Sequence, residues 1–461
     1  MADLVSLHEA LEQTQEEVRA RSKKYINPSL VSMMSLLDFD KPFVRAQGVS
    51  VWDNQGREYL DFLGGYGALN LGHNPPEVLQ VIKEVAQRPN LLQVGLNPLA
   101  AAMAENLAIL TPGDLGRTFF CNSGAEAVEG ALKLAKAYSD KPVILYMDGS
   151  FHGKSLGALS VTGRTKYQKP FKPLVPGCEK VPFEDLTALR ERMRQGDVAA
   201  VIMEPIQGEG GIQVPPDGFL SGARGLCSEF GALMIVDEIQ TGFGRTGKLF
   251  ACEHEGVVPD VLCLAKSLGG GVVPIGAVVA RPAVWDKVYG GMERATLHTS
   301  TFGGNTLAMA VALSSVASIV DQNLAERSAK LGAYFMDKLQ ELAAKYSIIK
   351  EVRGRGLFIG LEFREQEGLA NLLSAGKLNE VAREYMGAMV AGSLLNEEHI
   401  ITAFTLNNPN VIRLEPPLIV TQEQIDRVLA ALDATLQRTG SFWKASLSTA
   451  KTVVSGLFKK R

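Results

Sequence analysis

The clearest pattern in the chain is an alternation of short, continuously apolar runs with amphipathic stretches between residues 70 and 325. Continuous apolar runs are typical of strands buried on both faces, whereas the stretches between them repeat their apolar positions at helical spacing. Strands that alternate with helices predict a mostly parallel sheet covered by helices on both faces. The runs are RTFFCN (117–122), PVILYMD (142–148), AAVIMEP (199–205), ALMIVDE (232–238), DVLCLAK (260–266) and GAVVA (276–280).

The N-terminal stretch 3–24 also has apolar residues at helical spacing, which predicts an amphipathic helix. A helix outside the central pattern needs a surface to cover its apolar stripe, and a second subunit could supply that surface. The stripe consists of Leu4, Leu7, Leu11 and Val18.

Two further regions predict a smaller α+β domain. Residues 42–63 alternate in polarity around a turn at 54–56, which predicts a hairpin of strands 49–52 and 59–62 that joins this domain. The C-terminal region mixes predicted helices (328–345, 376–388 and 421–438) with predicted strands (356–363 and 411–420). We therefore predict four parts: an N-terminal helix and hairpin (1–69), a large domain (70–325), a C-terminal small domain (326–439) and a tail (440–461).

The tail differs from the rest of the chain in charge. It contains five basic residues and no acidic one, so it carries +5 while the remaining residues carry −8. Its apolar and basic residues fall on separate helical faces, which predicts a short basic amphipathic helix. Such a helix could dock on its own protein, or it could contact an anionic membrane surface or a partner.

Composition narrows the class of protein. The chain has 461 residues, of which 46% are hydrophobic, and a net charge of −3, which gives no reason to expect nucleic acid as a partner. The five cysteines form no disulfide or metal-binding spacing, so we expect reduced thiols, no metal and a cytoplasmic location. The N-terminus lacks a signal-peptide pattern. The sequence has no run of 18 apolar residues, so we expect no membrane span.

Candidate chemistry begins where one apolar run ends in Asp237 and Glu238, just before a glycine-rich stretch at 242–247. The carboxyl ends of parallel strands form the ligand crevice of such sheets. Burying a carboxylate there is costly unless a cationic group meets it. Asp237 is therefore a candidate for binding a cationic ligand atom, although a helix cap or a structural ion pair would have the same pattern.

The next apolar run ends in Lys266 and is followed by three glycines at 269–271. Burial lowers the pKa of a lysine, and the neutral amine is the nucleophile that forms Schiff bases. The glycines would let the backbone come close to a ligand. Taken alone, the same pattern also fits a surface lysine with a buried stem.

A third feature lies in residues 119–138, where a strand meets a helix through the turn 122–124. Ser123 and Glu126 have the spacing of a capping box. The free N–H groups at a helix start, with the serine hydroxyl and the helix dipole, suit a phosphate, although an ordinary capped helix has the same pattern. No GxGxxG or Walker motif is present, so dinucleotides and nucleoside triphosphates lack their fingerprint.

A phosphate site, a carboxylate and a lysine on one crevice together match the requirements of pyridoxal 5′-phosphate (PLP). The carboxylate would keep the pyridine nitrogen protonated so that the ring withdraws electrons. The lysine would bind the aldehyde as a Schiff base and move protons at the substrate carbon. We therefore predict PLP as the cofactor, with Lys266 and Asp237 as catalytic residues.

Longer motifs extend this interpretation. They are, in order, FLGGYGALNLGH, CNSGAEAVE, SFHGKSLGALS, EPIQGEGG, IVDEIQTGFGRTG, PDVLCLAKSLGGG, HTSTFGGN and VIRLEPPL. With them the chain resembles the class III (ornithine/ω-amino acid) PLP-dependent aminotransferases over residues 40–438, and among these it is most similar to the putrescine (diamine) aminotransferases. The resemblance implies an α/β fold of the aspartate-aminotransferase type (PLP fold type I), with a mostly parallel seven-stranded sheet in the large domain plus a smaller α+β domain.

The resemblance also implies roles around the phosphate. Ser123, Gly124 and Ala125 would hold it, and the family often has threonine where this chain has Ala125, so one hydroxyl contact would be missing. Thr301 would reach the phosphate of the neighbouring subunit. That contact implies a homodimer, or a higher homo-oligomer, with shared active sites.

Around the ring, the resemblance implies that Phe151 stacks on the pyridine, with His152 beside it, and that Gln240 contacts the ring hydroxyl oxygen. On the substrate side, the implied binding residues are Tyr66, Lys154, Glu209 and Arg413.

Arg413 and Glu209 would form a switchable pair, in which the arginine binds a substrate carboxylate or otherwise returns to the glutamate. Ornithine aminotransferases have arginine where this chain has Lys154. That difference argues against a tight grip on an α-carboxylate and favours a diamine or other ω-amine donor.

The predicted reaction moves the terminal amino group of a diamine to a 2-oxo acid, either 2-oxoglutarate or pyruvate. Ornithine or acetylornithine aminotransferase activity would keep the cofactor and change the donor. A PLP-dependent mutase is disfavoured by Gln240, where that family usually has methionine. An inactive scaffold that docks partners through the tail is disfavoured by the presence of both Lys266 and Asp237.

Overall fold

The computed structural model describes residues 4–92, 94–364 and 386–438. The predicted amphipathic tail (440–461) and most of the helix predicted at 376–388 lie outside the described residues. The described strands are β1 Phe43–Gln47, β2 Ser50–Asp53, β3 Glu58–Asp61, β4 Arg117–Cys121, β5 Val143–Met147, β6 Cys178–Val181, β7 Val198–Met203, β8 Leu233–Asp237, β9 Val261–Leu264, β10 Gly276–Ala280, β11 Ile349–Arg355, β12 Phe358–Phe363, β13 Ile400–Ile401, β14 Ala403–Phe404 and β15 Val411–Leu414.

Helices cover the sheets and the N-terminal region. The longer ones are Gln15–Tyr25, Pro28–Leu36, Pro76–Val85, Pro98–Leu110, Gly124–Ser139, Leu186–Met193, Phe219–Phe230, Pro282–Tyr289, Thr306–Asp321, Leu324–Lys345, Met386–Glu397 and 422–438. Shorter helical turns are Leu7–Leu11, Leu156–Ser160, Thr165–Gln168, Lys169–Phe171, Ala251–Glu255 and Lys266–Gly269.

The central sheet has seven strands in the order β4-β10-β9-β8-β7-β5-β6. Strand β10 is antiparallel to both of its neighbours, and the other described pairs are parallel. The predicted mostly parallel sheet and its strand number are confirmed. Five of its strands are buried at every position, which is why their sequences are continuously apolar.

Both faces of this sheet are covered. On β5, Ile144 and Tyr146 belong to one apolar cluster, and Leu145 and Met147 belong to another. Successive side chains of a strand point to opposite faces, so the two clusters lie on opposite sides of the sheet. The helix Gly124–Ser139 contributes much of the first cluster.

The predicted hairpin is formed by β2 and β3, with Val51 opposite Tyr59. The short strand β13 pairs with β3, which links this N-terminal sheet to the C-terminal part of the chain. The third sheet has the order β11-β12-β15-β14. The strand predicted at 411–420 ends at Leu414, because Pro416 and Pro417 have no N–H for a ladder.

The prediction of a single helix over residues 3–24 is wrong. Thr14 breaks the pattern by capping a second helix: its hydroxyl accepts from Glu17 N, and the Glu17 carboxylate accepts from Thr14 N at 2.9 Å. Neither helix buries a residue in this chain, and Leu7 and Leu11 are each 77% exposed. The apolar stripe therefore remains uncovered.

Within the described residues, no single helix is both long and apolar enough to cross a membrane. The pair Thr306–Asp321 and Leu324–Lys345 passes the same test of length and composition only when taken together, and it is bent by 58°.

Candidate active site

A cavity of about 490 Å³ lies where β4, β7, β8 and β9 end at one edge of the central sheet. This is the edge at which ligands bind in open α/β sheets. Among the residues that line it are Asn122, Ser123, Gly124, Ala125, Phe151, His152, Glu204, Asp237, Ile239, Gln240, Thr241 and Lys266. Eight of the residues predicted from the sequence thus share one cavity.

Asp237 is the last residue of β8, and His152 supports it from the side. The Asp237 Oδ2 atom lies 2.7 Å from His152 Nδ1, and Oδ1 accepts a hydrogen bond from Ile239 N at 3.0 Å. Burial alone would lower the pKa of His152, but the hydrogen bond and charge of Asp237 raise it above its usual value. The contacts with His152 and with Ile239 N together fix how the carboxylate faces the cavity.

Lys266 follows β9 by two residues and adopts left-handed backbone (φ +45°). This turn carries its side chain into the cavity wall instead of along the strand. Burial of the amine lowers the pKa of Lys266, although the charges of Glu415 and Glu209 oppose the shift. A larger neutral fraction of the amine suits a nucleophile and a proton carrier.

The helix Gly124–Ser139 starts at the cavity, with Ser123 as its N-cap. Ser123 Oγ accepts from Glu126 N at 3.2 Å, but the Glu126 carboxylate accepts from Asn122 N at 2.8 Å, so the predicted reciprocal capping box is wrong. Gly124 packs closely against Ile239, since a Cβ at this position would lie 2.8 Å from Ile239 Cδ1. The N–H groups of Gly124 and Ala125, in the first turn, have no partner within the helix, and both residues line the cavity.

Glu204 is a cavity residue that the sequence interpretation missed. It directly follows β7 and accepts hydrogen bonds from Phe151 N at 2.9 Å and Gly208 N at 3.0 Å. Burial raises the pKa of Glu204 to about 7. The signal that identified Asp237, an acid directly after a fully apolar strand, applies equally to Glu204.

Gln240 lines the cavity and donates from Nε2 to both carboxylate oxygens of Glu415, at 3.1 and 2.9 Å. Glu415 is the second missed residue, and it is fully buried. Its sequence signal was weak, because it follows a short strand in the motif VIRLEPPL and its partners lie far away in the chain.

Arg413 and Glu209 form the predicted pair, with Nη2 of the arginine 2.7 Å from Oε1 of the glutamate. Arg413 is fully buried, and its guanidinium lies 5.0 Å from the centre of the Tyr66 ring. Burial alone would raise the pKa of Glu209, but the charge of Arg413 holds it below its usual value. The structure therefore brings three of the four predicted substrate-side residues together.

The other five predicted residues lie outside the lining of this cavity: Tyr66, Glu209 and Arg413 form the neighbouring group just described, and Lys154 and Thr301 are exposed. Lys154 is exposed, with its amine 5.3 Å from the centre of the Tyr167 ring and 6.0 Å from that of Phe151. Thr301 is exposed next to Ser300, which accepts a hydrogen bond from Asn122 Nδ2 at 3.0 Å. Thr301 thus lies on the surface beside the turn 122–124 that lines the cavity.

The residues present fit PLP. The cavity combines helix N–H groups for a phosphate, a buried carboxylate for a ring nitrogen and a lysine for an aldehyde, and Phe151 and Ile239 supply apolar surface for a ring. Nε2 of His152 is buried without a hydrogen-bond partner, which leaves a polar ring nitrogen for a bound group. Within the described residues, no group of three or more His, Cys, Asp or Glu side chains is placed to hold a metal ion.

Comparison with known proteins agrees with this site. The aminotransferase class-III family model matches residues 38–436. The putrescine aminotransferase of Pectobacterium atrosepticum is 46% identical over 429 residues, which cover 90% of this chain and 87% of that protein. The aminotransferase PigE of Serratia sp. is 40% identical over 94% of this chain, which spans 55% of that longer protein.

Solved structures show the same fold. Ornithine aminotransferase from Toxoplasma gondii has a TM-score of 0.82 at 33% identity, covering 96% of this chain and 99% of that one. An (S)-enantioselective ω-transaminase from Thermomicrobium roseum also has a TM-score of 0.82, at 28% identity, covering 92% and 99%.

The chain belongs to the class-III aminotransferases, enzymes of PLP fold type I. Members of this class are PLP-dependent, so PLP is its cofactor and an amine and a 2-oxo acid are its substrates.

Proposed function

We propose that this enzyme transfers the terminal amino group of a diamine or related ω-amine, of the putrescine and cadaverine type, to 2-oxoglutarate or pyruvate. The observation that carries the proposal is the substrate side of the site, where Arg413 is enclosed by Glu209 and Glu415. A guanidinium paired with carboxylates in this way can receive a substrate carboxylate only when Glu209 moves away, and a donor without a carboxylate leaves the pair closed, which favours such donors. The 46% identity to a putrescine aminotransferase supports the same donor.

Each cofactor contact has a candidate residue. Ser123, Gly124 and Ala125 would hold the phosphate, and Asp237 would face the ring nitrogen, oriented by His152. Phe151 would stack on the ring and Gln240 would contact its hydroxyl oxygen. Bound PLP supplies a protonated pyridine ring that accepts the electrons of the substrate C–H bond as that bond breaks.

Lys266 would attach the cofactor and then act on the substrate. When a donor amine displaces it, its Nζ becomes free to remove the proton from the donor carbon that carries the amino group. In the second half-reaction the same Nζ returns a proton to the corresponding carbon of the 2-oxo acid. The lowered pKa of Lys266 suits both tasks, because the amine must first be neutral and then hold a proton.

Arg413 would serve the acceptor. A 2-oxo acid brings a carboxylate, which can displace Glu209 and bind the guanidinium in a bidentate manner. With an amine donor the arginine remains on Glu209, so the site adapts to both substrates. Tyr66, beside the guanidinium, and Lys154 at the surface would line the path of the substrate.

The same proposal includes a homodimer, or a higher homo-oligomer, in which Thr301 reaches the phosphate of the partner subunit. Thr301 lies beside a second cavity of about 390 Å³, lined by Leu91, Leu92, Leu96 and neighbours of Thr301. Leu96 is fully exposed in the single chain, and exposed apolar surface of this kind marks interfaces. The five unpaired cysteines support a cytoplasmic location.

A donor panel tests the proposed function. PLP-loaded enzyme is assayed with putrescine, cadaverine, ornithine and acetylornithine, each with 2-oxoglutarate and with pyruvate. We expect kcat/KM to be highest for a diamine. The amino acid formed from the 2-oxo acid should appear in the same amount as the diamine is consumed. A preference for ornithine or acetylornithine would refute the diamine donor and leave the aminotransferase class intact.

A further inference from the structure

Glu415 is a fully buried carboxylate beside the substrate-binding residues, and neither the cofactor contacts nor the Arg413–Glu209 pair gives it a role. Both of its oxygens accept from the amide of Gln240. Its Oε2 lies 3.7 Å from Arg413 Nη1, and its Oε1 lies 3.9 Å from Arg245 Nε. The carboxylate therefore joins a residue of the cofactor cavity to the arginine proposed to bind substrate carboxylates.

The chain is built closely around this carboxylate. Gly67 (φ +83°) lies so near that a Cβ there would be 2.5 Å from Glu415 Oε1. A Cβ at Gly64 (φ +56°) would be 2.3 Å from the backbone oxygen of Glu415. The glycines let the loop close over Glu415, and the same loop carries Tyr66 against Arg413.

The two arginines near Glu415, Arg245 and Arg413, differ in their other partners. Arg245 already donates to the oxygens of Leu357 and Asn70, at 3.0 and 2.6 Å, so it serves mainly to hold the backbone together. Arg413 instead faces two carboxylates, one at 2.7 Å and one at 3.7 Å. Glu209 meets Nη2 and is the carboxylate proposed to leave when a substrate carboxylate arrives, whereas Glu415 faces Nη1 and is held by Gln240 and the glycine loop.

We propose that Glu415 is a specificity-determining residue, a carboxyl group fixed beside Arg413 that selects ammonium-bearing donors over carboxylate-bearing ones. This inference rests on the proposed diamine activity and identifies the group that determines the preference for a diamine donor. Burial raises the pKa of Glu415, and the charges of Arg245 and Arg413 oppose that shift. In its ionised form the group weakens the attraction of the guanidinium for substrate carboxylates and strengthens the attraction of the site for a second ammonium group.

The test is Glu415→Gln in the PLP-loaded enzyme, compared with wild type for putrescine and for ornithine. The two donors present the same terminal amine, and ornithine adds an α-carboxylate. We expect kcat/KM to fall for putrescine and to rise for ornithine, so that their ratio changes about tenfold, as the loss of one nearby charge predicts. The KM for the 2-oxo acid should fall as well.

Glu362→Gln is the matched control. Glu362, on β12, is also a buried glutamate, and it pairs with Arg353 and Lys350 of the neighbouring β11. It has no described contact with the cavity. This variant should lose thermal stability and keep the wild-type donor ratio. Glu415→Asp, which conserves the charge, should also keep the ratio, and it provides the comparison should Glu415→Gln not fold.

An unchanged ratio in Glu415→Gln, a parallel loss for both donors, or a tenfold altered ratio in Glu415→Asp would overturn the inference. A purely structural role predicts the parallel loss. Should wild type prefer ornithine, the proposed function fails by itself, and Glu415 is then judged by the 2-oxo acid: an unchanged KM for the acceptor in Glu415→Gln overturns its role.

Discussion

His152 Nδ1 lies 2.7 Å from Asp237 Oδ2, and both side chains are almost entirely buried in the wall of the cavity. His152 is thereby placed to orient the carboxylate proposed to face the PLP ring nitrogen. The remaining Asp237 oxygen is held by Ile239 N, so the carboxylate has little freedom to turn.

Replacing His152 with alanine should lower kcat about tenfold to hundredfold, because Asp237 loses a charge-assisted hydrogen bond. The measurement is steady-state kinetics with a good donor at saturating PLP. His73→Ala is the control, because His73 forms a similar pair with Asp61 at 2.8 Å outside the cavity. Equal effects of the two substitutions would contradict the assignment.

Gly67→Ala should destabilise the protein more than Gly56→Ala. Both glycines have positive φ, +83° and +77°, so both substitutions carry a backbone cost of about 1 kcal/mol or more. Only at Gly67 would the new Cβ also meet Glu415, since Gly56 has open space around it. The melting temperatures of the two variants measure the difference, and equal values would refute the close approach at Gly67.

Glu204 should make stability depend on pH. Its pKa in the folded chain is about 7, against an ordinary value of 4.5, so folding favours the protonated form. This contribution is fully present below the unfolded pKa and is lost as pH rises through about 7, a loss of about 3 kcal/mol.

Glu204→Gln should therefore reduce the drop in melting temperature of PLP-free enzyme between about pH 5 and pH 8. The variant also loses one acceptor for the N–H groups of Phe151 and Gly208, which lowers stability equally at both pH values. Comparing the change of melting temperature with pH in the two proteins removes that constant offset. A slope identical to wild type would show that Glu204 does not titrate in this range.

The sequence predicted the parts of the site that lie at strand ends. Asp237 and Lys266 follow apolar runs, and a parallel sheet brings such ends to one edge, so their proximity follows from local pattern and topology. Ser123 was found in the same way. Here the structure confirms the fold, and the roles of these residues remain proposals.

Other features depend on contacts between distant segments. Glu415 acquires its partner Gln240 across 175 positions in the chain, and Tyr66, which has left-handed backbone, packs against the distant Arg413. Strand β11 was missed because only Ile349, Val352 and Arg353 are buried, without alternation, and its sequence is charged. The division at residues 69 and 325 also remains a prediction.

The most direct test of the account is the visible absorbance of the PLP-loaded enzyme before and after putrescine is added without acceptor. We predict an absorbance band of lysine-bound PLP that disappears on addition of putrescine and returns when a 2-oxo acid is added. Lys266→Ala should lack this band. A band that putrescine leaves unchanged would contradict the diamine donor, and a wild-type enzyme that forms no band with added PLP would contradict the role of Lys266.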